Sequence, residues 1–466
     1  MTLYNKRKKN VGIFSILHIW LYFAADMKDF LNKYASRFWT PDIFLLLLIS
    51  AENYILFFYS INLGQQWLNA GCYFLSSLLF GFTLLGKFHN KEVTYMLTKP
   101  QAKTWVPILI LTVAFLTLIA FADQYVFQKY SINAKQSDVI PTIQILTKRW
   151  LEGTFVYQPI EDFGYHLPVT YMPLQWIVYT PASYFGFDFR WIAFIIWAAG
   201  SFWLITRAAH QPNRMFCFFI PMLLFGVYSL TLYKALHVVS TTVEMMVAGY
   251  YIILIITLNQ KNAVLLGIGF ALCLLSRFSL VLWLPLWAWV MWLSNSRKSM
   301  FITIGTTAVL VLLIYILPFL SKNWNAFFDG YNYYSKAAIG EWQSLNFNIM
   351  KPQQLNMGVG IAFWFAEHYP HHPELGLKLL QRTQLIVCLL TVVGLGIWYW
   401  RKRDTIHQRI FLLASFKIYL SIFLFFIQVP YIYLMVVANF VSIAIFSEQL
   451  RYRSTKKIKP AERQNA

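Results

Sequence analysis

Several ionisable residues of this chain stand inside or beside long apolar runs, where an unmet charge is costly. Arg277 interrupts LLSRFSLVLWLP with no acid near it in sequence. A guanidinium so placed is paired, holds an anion, or snorkels to the headgroups. Lys234 and His237 in LTLYKALHVVSTTVE form a second basic pair, with Glu244 seven residues beyond the histidine. Glu52 lies among apolar residues, as does Lys417; such groups serve proton coupling or a structural pairing, including with each other. Asp123 ends one apolar run, and Asp138 heads the polar-apolar stretch after it. The HHP at 371–373 has no ligand spacing to another histidine or acid, so no metal site is read. Cys72, Cys217, Cys273 and Cys388 each fall in an apolar run without CxxC or Cys/His spacing, and read as small buried hydrophobes.

The elements that must position these groups follow from composition. Of 466 residues, 58% are hydrophobic and 12% charged, too few charges to cover a water-facing surface. Aromatic residues reach 19%, as interfacial belts require. The reading is an all-α polytopic membrane protein with about twelve transmembrane helices and amphipathic helices beside the membrane in a large first outer loop. Candidate spans are 41–61, 67–86, 104–122, 190–206, 215–233, 243–259, 262–276, 278–295, 300–320, 383–400, 410–427 and 429–447. The apolar stretch 11–25 follows a basic N-terminus but is short for a span, and is expected to lie at the interface.

Net charge is +20, which invites a nucleic-acid reading until the positions are examined. With both termini cytoplasmic, the cytoplasmic segments hold 26 basic residues and the outer segments 12. The charge is then a topology signal, and nucleic acid drops out as a partner in favour of the bilayer. Cytoplasmic connections are short, whereas outer segments 123–190 and 321–382 are long, so chemistry is expected on the outer face. The chain divides into a basic N-terminus (1–40), an N-terminal hairpin with its basic loop (41–103), a core (104–447) and a basic tail (448–466).

In the first outer loop, Ser137-Asp138 can cap a helix that admits Pro141 in its first turn and stops at Gly153. Ile140, Ile143, Leu146 and Trp150 give it an apolar face. A second helix is expected from Met172 to Phe185, ended by Gly186. The motifs then follow in a set order. An Asp-headed juxtamembrane helix is followed by Gly153-x-x-Val156-Tyr157, by Tyr165-His166-Leu167-Pro168 with Tyr171-Met172-Pro173-Leu174, and by Phe185-Gly186-x-x-x-Arg190-Trp191. Over residues 104–206 this resembles the C-type superfamily of integral membrane glycosyltransferases, nearest to the bacterial polyprenol-phosphate-mannose-dependent mannosyltransferases. Where relatives often carry Tyr-Pro-Pro or Lys-Pro-Pro, this chain has Tyr171-Met172-Pro173, so the resemblance leaves the sugar open.

The resemblance implies a bacterial inner-membrane enzyme that moves a sugar, mannose among them, from a polyprenyl-phosphate donor to a glycan, lipid or protein acceptor. It implies Asp138 as the base, against a plain helix cap as the bland role. Donor-phosphate ligands would come from Arg277, Lys234, His237 and His166, with Asp123 or Glu244 as a second acid and no cofactor indicated. His166 either holds phosphate or packs. Lys148 and Arg149 read as headgroup contacts. Two rivals stand beside this reading: a polysaccharide polymerase with a lipid-diphosphate donor, and a lipid-linked-sugar flippase or proton-coupled transporter, for which Glu52 and Lys417 speak.

Overall fold

The computed structural model describes residues 40–59, 66–89, 91–95, 102–210, 214–346 and 351–456. The chain divides into residues 1–47 and 48–466; of the first unit only Thr40 and the opening of one helix are described, and every contact below lies in the second. The expected interfacial helix over 11–25 and the tail after 456 fall outside the described residues.

The chain runs through α1 (Pro41–Tyr54, continued by a π turn to Tyr59), α2 (Gln66–Phe88), β1 (Lys91–Tyr95) and α3 (Ala102–Lys129). The first long loop contributes α4 (Val139–Leu151), α5 (Pro173–Trp176) and α6 (Thr180–Phe185). Next come α7 (Arg190–Ala208), α8 (Arg214–Lys234), α9 (Leu236–Ser240), α10 (Glu244–Leu258), α11 (Ala263–Leu274) and α12 (Leu284–Leu293). After α13 (Arg297–Val311, drawn on as a π turn to Leu320), the second long loop holds α14 (Asn325–Gln343), β2 (Leu345–Asn346), β3 (Lys351–Pro352), α15 (Gln353–Met357) and α16 (Ala362–His368). The last elements are α17 (Pro373–Lys402), α18 (Gln408–Phe425), α19 (Ile432–Gln449) and β4 (Tyr452–Lys456).

This is a multi-pass helical membrane protein. Among the described residues nine helices, α1, α2, α3, α7, α8, α13, α17, α18 and α19, are long and apolar enough to cross a membrane. Three shorter apolar helical segments, Glu244–Leu258, Ala263–Leu274 and Phe278–Leu293, occupy the remaining expected spans. Their brevity has local causes. Asn262 accepts hydrogen bonds from the backbone of Val264 and Leu265, which caps α11 and makes the tight turn from α10. Extended backbone at Arg277 then breaks α11 from the 3-10 turn leading into α12.

Packing follows the rule that small residues let membrane helices approach. A Cβ added at Gly249 of α10 would stand 2.7 Å from the Ile196 carbonyl oxygen of α7. Large apolar side chains such as Leu118 and Phe121 of α3 instead face outward, as lipid allows and water does not. Exposed Trp67, Trp324 and Trp364 lie toward the long loops, and exposed Trp292 and Trp400 toward the opposite end.

The basic short connections meet at one end. Arg207 donates to both carboxylate oxygens of Glu448, each at 2.7 Å, and Asn259 Nδ2 donates to Glu448 Oε2 at 2.5 Å. Arg451 donates to the Tyr95 hydroxyl at 2.9 Å, and Arg409 to the Asn259 carbonyl at 2.9 Å. An antiparallel ribbon ties the same segments together, pairing Lys91 with Lys456 through to Tyr95 with Tyr452. That ribbon departs from the all-helical expectation, yet it places 91–95 beside the start of the tail, on one end as the charge count required.

The N-terminal hairpin docks through charge. Lys417 Nζ lies 2.8 Å from Glu52 Oε1 and donates to Ser77 at 3.0 Å and Ser442 at 2.7 Å. Ser77 and Ser442 donate in turn to the two Glu52 oxygens, each at 2.7 Å. All three ammonium protons and both carboxylate oxygens are thereby met, as a buried pair needs. Nearby, Asn439 donates to Asn53 Oδ1 at 2.9 Å and accepts from the Tyr73 hydroxyl at 2.8 Å.

Candidate functional site

The opposite end is built from the two long loops. The helix α4 begins and ends where the sequence places it, with Gly153 in the left-handed region at φ 70°. The expected second helix is instead three pieces, α5, a 3-10 turn over Ile177–Tyr179 and α6, with Pro181 in the first turn of α6 and Gly186 closing it at φ 72°.

Asp138 does not cap α4. Its backbone is already helical (φ −82°, ψ −8°) and its side chain makes no capping hydrogen bond. Ser137 Oγ takes the Val139 N–H at 3.4 Å and donates to the Thr241 carbonyl at 3.2 Å, so the neighbouring hydroxyl serves the helix terminus and ties it to the α9–α10 turn. The Asp138 carboxylate turns instead to Tyr165, whose hydroxyl donates to Oδ2 at 2.8 Å. Among the described residues Oδ1 takes no hydrogen bond. Tyr165 rides on a small hairpin closed by reciprocal 2.9 Å bonds between Ile160 and Leu167, with Gly164 at φ 80° supplying the bend. His166 follows beside the closing bridge, exposed, its Nδ1 2.5 Å from Glu161 Oε1.

The second long loop closes over this region. A Cβ at Gly330 of α14 would stand 2.7 Å from the Val169 carbonyl, so only glycine lets α14 lie this close to the first loop. At the far end of α14, Trp342 Nε1 donates to the Gln428 carbonyl at 2.9 Å. This sets Glu341 against Tyr431, whose hydroxyl donates to it. Burial raises Glu341 above the usual carboxylate range; Asp138 adds to the rise and Tyr431 offsets part of it. Burial, and then the Asp138 carboxylate, also push the Tyr165, Tyr171 and Tyr333 hydroxyls up.

Beside it lies an ion pair that sequence separation concealed. Arg277 has no acid near it in sequence, but its guanidinium pairs with Glu244 at the first turn of α10. The backbone positions it: the Leu174 N–H donates to the Leu275 carbonyl at 2.9 Å, fastening α5 to the break that presents Arg277. Tyr171, Tyr334 and Tyr433 lie within the field of this pair.

The remaining expected residues fall elsewhere or have other partners. Asp123 is fully buried and accepts from the Tyr228 hydroxyl at 2.6 Å. Lys234 lies over the Phe58 and Tyr233 rings, at 5.1 and 4.6 Å. His237 is exposed on α9, one turn before the Thr241 carbonyl that receives Ser137. Arg149 donates to the Val156, Gln158 and Pro159 carbonyls and holds the loop after α4. Lys148 is exposed and 3.9 Å from Glu152.

Sequence reasoning missed Tyr165, Glu341, Tyr431 and Arg190. Arg190 pairs with Asp188 at 2.6 Å and donates to the carbonyls of Phe127, Tyr130 and Ser240, answering carbonyls at the end of α3. The available signals were the motifs that hold Tyr165 and Arg190, which do not name the partners. Comparison with protein-family models, with curated proteins and with solved structures finds no match to this chain.

Proposed function

We propose that the chain is an integral membrane glycosyltransferase of the C-type, carrying a sugar, mannose by the resemblance, from a polyprenyl-phosphate donor to an acceptor hydroxyl at the outer face. In this reading the three short apolar segments complete twelve spans, both termini are cytoplasmic, and the long-loop end faces outward from a bacterial inner membrane.

The observation that carries the proposal is Asp138. A carboxylate at a helix start is usually spent on the helix, whereas this one leaves it, is oriented by Tyr165, and keeps Oδ1 for another donor. In the reaction Oδ1 would accept the proton of the acceptor hydroxyl as its oxygen bonds the anomeric carbon. The bond from that carbon to the phosphate oxygen breaks, and the lipid phosphate leaves with the electron pair. His166 follows Tyr165 in the hairpin and His237 stands one turn before the Thr241 carbonyl that receives Ser137, and both are candidates to meet that phosphate.

The Glu52–Lys417 pair, which would otherwise favour proton-coupled transport, has its protons and oxygens met within its own network, and this supports the enzyme over the transporter. Purified protein in vesicles, given polyprenyl-phosphate sugars or polyprenyl-diphosphate glycans labelled in the sugar, together with membrane extract, tests the proposal. Label moving only from monophosphate donors supports it; label moving only from diphosphates supports the polymerase; no movement removes both.

A further inference from the structure

On the side of α4 turned toward α6 runs an open groove of about 690 Å³, within the roughly 300–1,000 Å³ of small-molecule sites. Exposed residues of both walls leave it accessible from solvent at the long-loop end. Its charges are already balanced. Lys148 faces Glu152 at 3.9 Å, and Asp188 is held by Arg190 at 2.6 Å. Arg190 is itself 3% exposed and spent on Asp188 and on the carbonyls of Phe127, Tyr130 and Ser240, so it offers no donor to the groove. A phosphate entering here would meet one ammonium and two carboxylates, a poor site for an anion. Two polar side chains remain free: among the described residues neither the Gln144 carboxamide nor the Ser183 hydroxyl has a hydrogen-bond partner. Gln144 brings donors and an acceptor, Ser183 brings both capacities in one hydroxyl, and the carboxylates keep further lone pairs. Phe187 adds a ring, 37% exposed, to the wall. That lining suits an uncharged ligand with many hydroxyls and an apolar face, as a sugar ring has. An extended peptide would need an unpaired strand edge, whereas the walls are α4, α6 and the turns beside them.

We infer that this groove binds a neutral oligosaccharide, the part of a glycan acceptor that trails behind its reacting hydroxyl. The shared helix supports the placement. Gln144 stands six residues along α4 from Asp138, about 9 Å at the helical rise, so one glycan reaches both. The acceptor role rests on the glycosyl-transfer reading; the binding of a neutral glycan does not.

The test presents the full chain in nanodiscs with immobilised neutral, acidic and sulfated oligosaccharides and a serine-rich peptide, then titrates the strongest neutral ligand. The wild type is expected to retain neutral oligosaccharides over the rest. Phe187→Ala and Gln144→Leu should each weaken the titrated ligand roughly tenfold, the worth of a stacked ring or a pair of hydrogen bonds. Ser183→Trp fills the groove from a half-buried wall position and should abolish binding; it decides the matter where either other variant fails to fold. The inference is overturned if no neutral oligosaccharide is retained, if acidic glycans or the peptide are preferred, if inorganic phosphate displaces the ligand, or if binding survives Ser183→Trp. Transfer assays separate this from the enzyme reading. Where the wild type transfers sugar, Ser183→Trp should raise the acceptor KM about tenfold or more and leave the donor KM unchanged, and an unchanged acceptor KM removes the acceptor role. Where the wild type transfers nothing but binds neutral glycan through the groove, the site stands and the transferase reading falls.

Discussion

The Tyr165 hydroxyl reaches across 27 residues of sequence to donate to Asp138 Oδ2 at 2.8 Å, and in doing so takes the carboxylate off the helix it heads. Orientation of Asp138 is thus assigned to a hairpin and not to the helix terminus. Tyr165→Phe should lower turnover roughly tenfold, the worth of one hydrogen bond to a charged group, with donor affinity little changed. Its melting temperature should stay near wild type, because that bond lies at a partly exposed surface. Steady-state kinetics at saturating donor, read beside a thermal melt, check both.

The buried Glu52–Lys417 pair carries a stability prediction. Glu52→Gln should cost about 3–5 kcal/mol by leaving the Lys417 ammonium unpaired among apolar helices, whereas Glu52→Leu with Lys417→Met should be nearly neutral. Specific activity of the double variant should equal wild type. Denaturant unfolding in detergent, followed by transfer assays on the folded fraction, measures each; loss of function in a stable double variant would restore proton coupling to consideration.

Acid should loosen the short-loop end through His407. Burial first, then the Arg409 charge, lower this imidazole from its ordinary 6.5 to about 4. The unfolded chain therefore binds the proton more readily, so the neutral histidine's contribution is complete above pH 6.5 and fades as pH falls toward 4. His407→Phe keeps a ring against Tyr452, whose centroid lies 5.1 Å away, and should flatten that part of the stability curve. Melting temperatures of both proteins between pH 7 and 4 decide the matter; parallel curves would contradict it.

Much of this architecture was legible in the sequence because apolar run length and Lys/Arg placement act locally. The long apolar helices, the helix from 139 to 151 and the grouping of short basic connections at one end all depend on such signals. Pairings across the chain were not. Arg277 finds Glu244, Asp138 finds Tyr165, and Glu341 finds Tyr431, because helix packing brings distant segments together, and no spacing rule announces that. The capping role of Asp138 is not taken up for a related reason: Ser137 accepts the Val139 N–H at the helix start, and the acid turns to a tertiary partner.

Sidedness has a direct test. In a Cys72→Ser background, since Cys72 is the exposed one of the four cysteines, Lys135→Cys and Asp404→Cys place single thiols at exposed positions of the long-loop and short-loop ends. Impermeant maleimide on intact cells should label position 135 and spare 404 until the membrane is opened. The reverse pattern would turn the site inward and exclude an outer-face acceptor.

Transfer by Asp138→Asn is the measurement on which the account turns. Asparagine keeps the shape and can still accept from Tyr165, and the helix has no cap bond to lose, so folding and donor binding should match wild type. Loss of the proton acceptor should lower single-turnover transfer from polyprenyl-phosphate mannose by about a hundredfold or more. Turnover within a few-fold of wild type, in a variant that folds and binds the donor, would contradict the role given to Asp138 and with it the proposed enzyme.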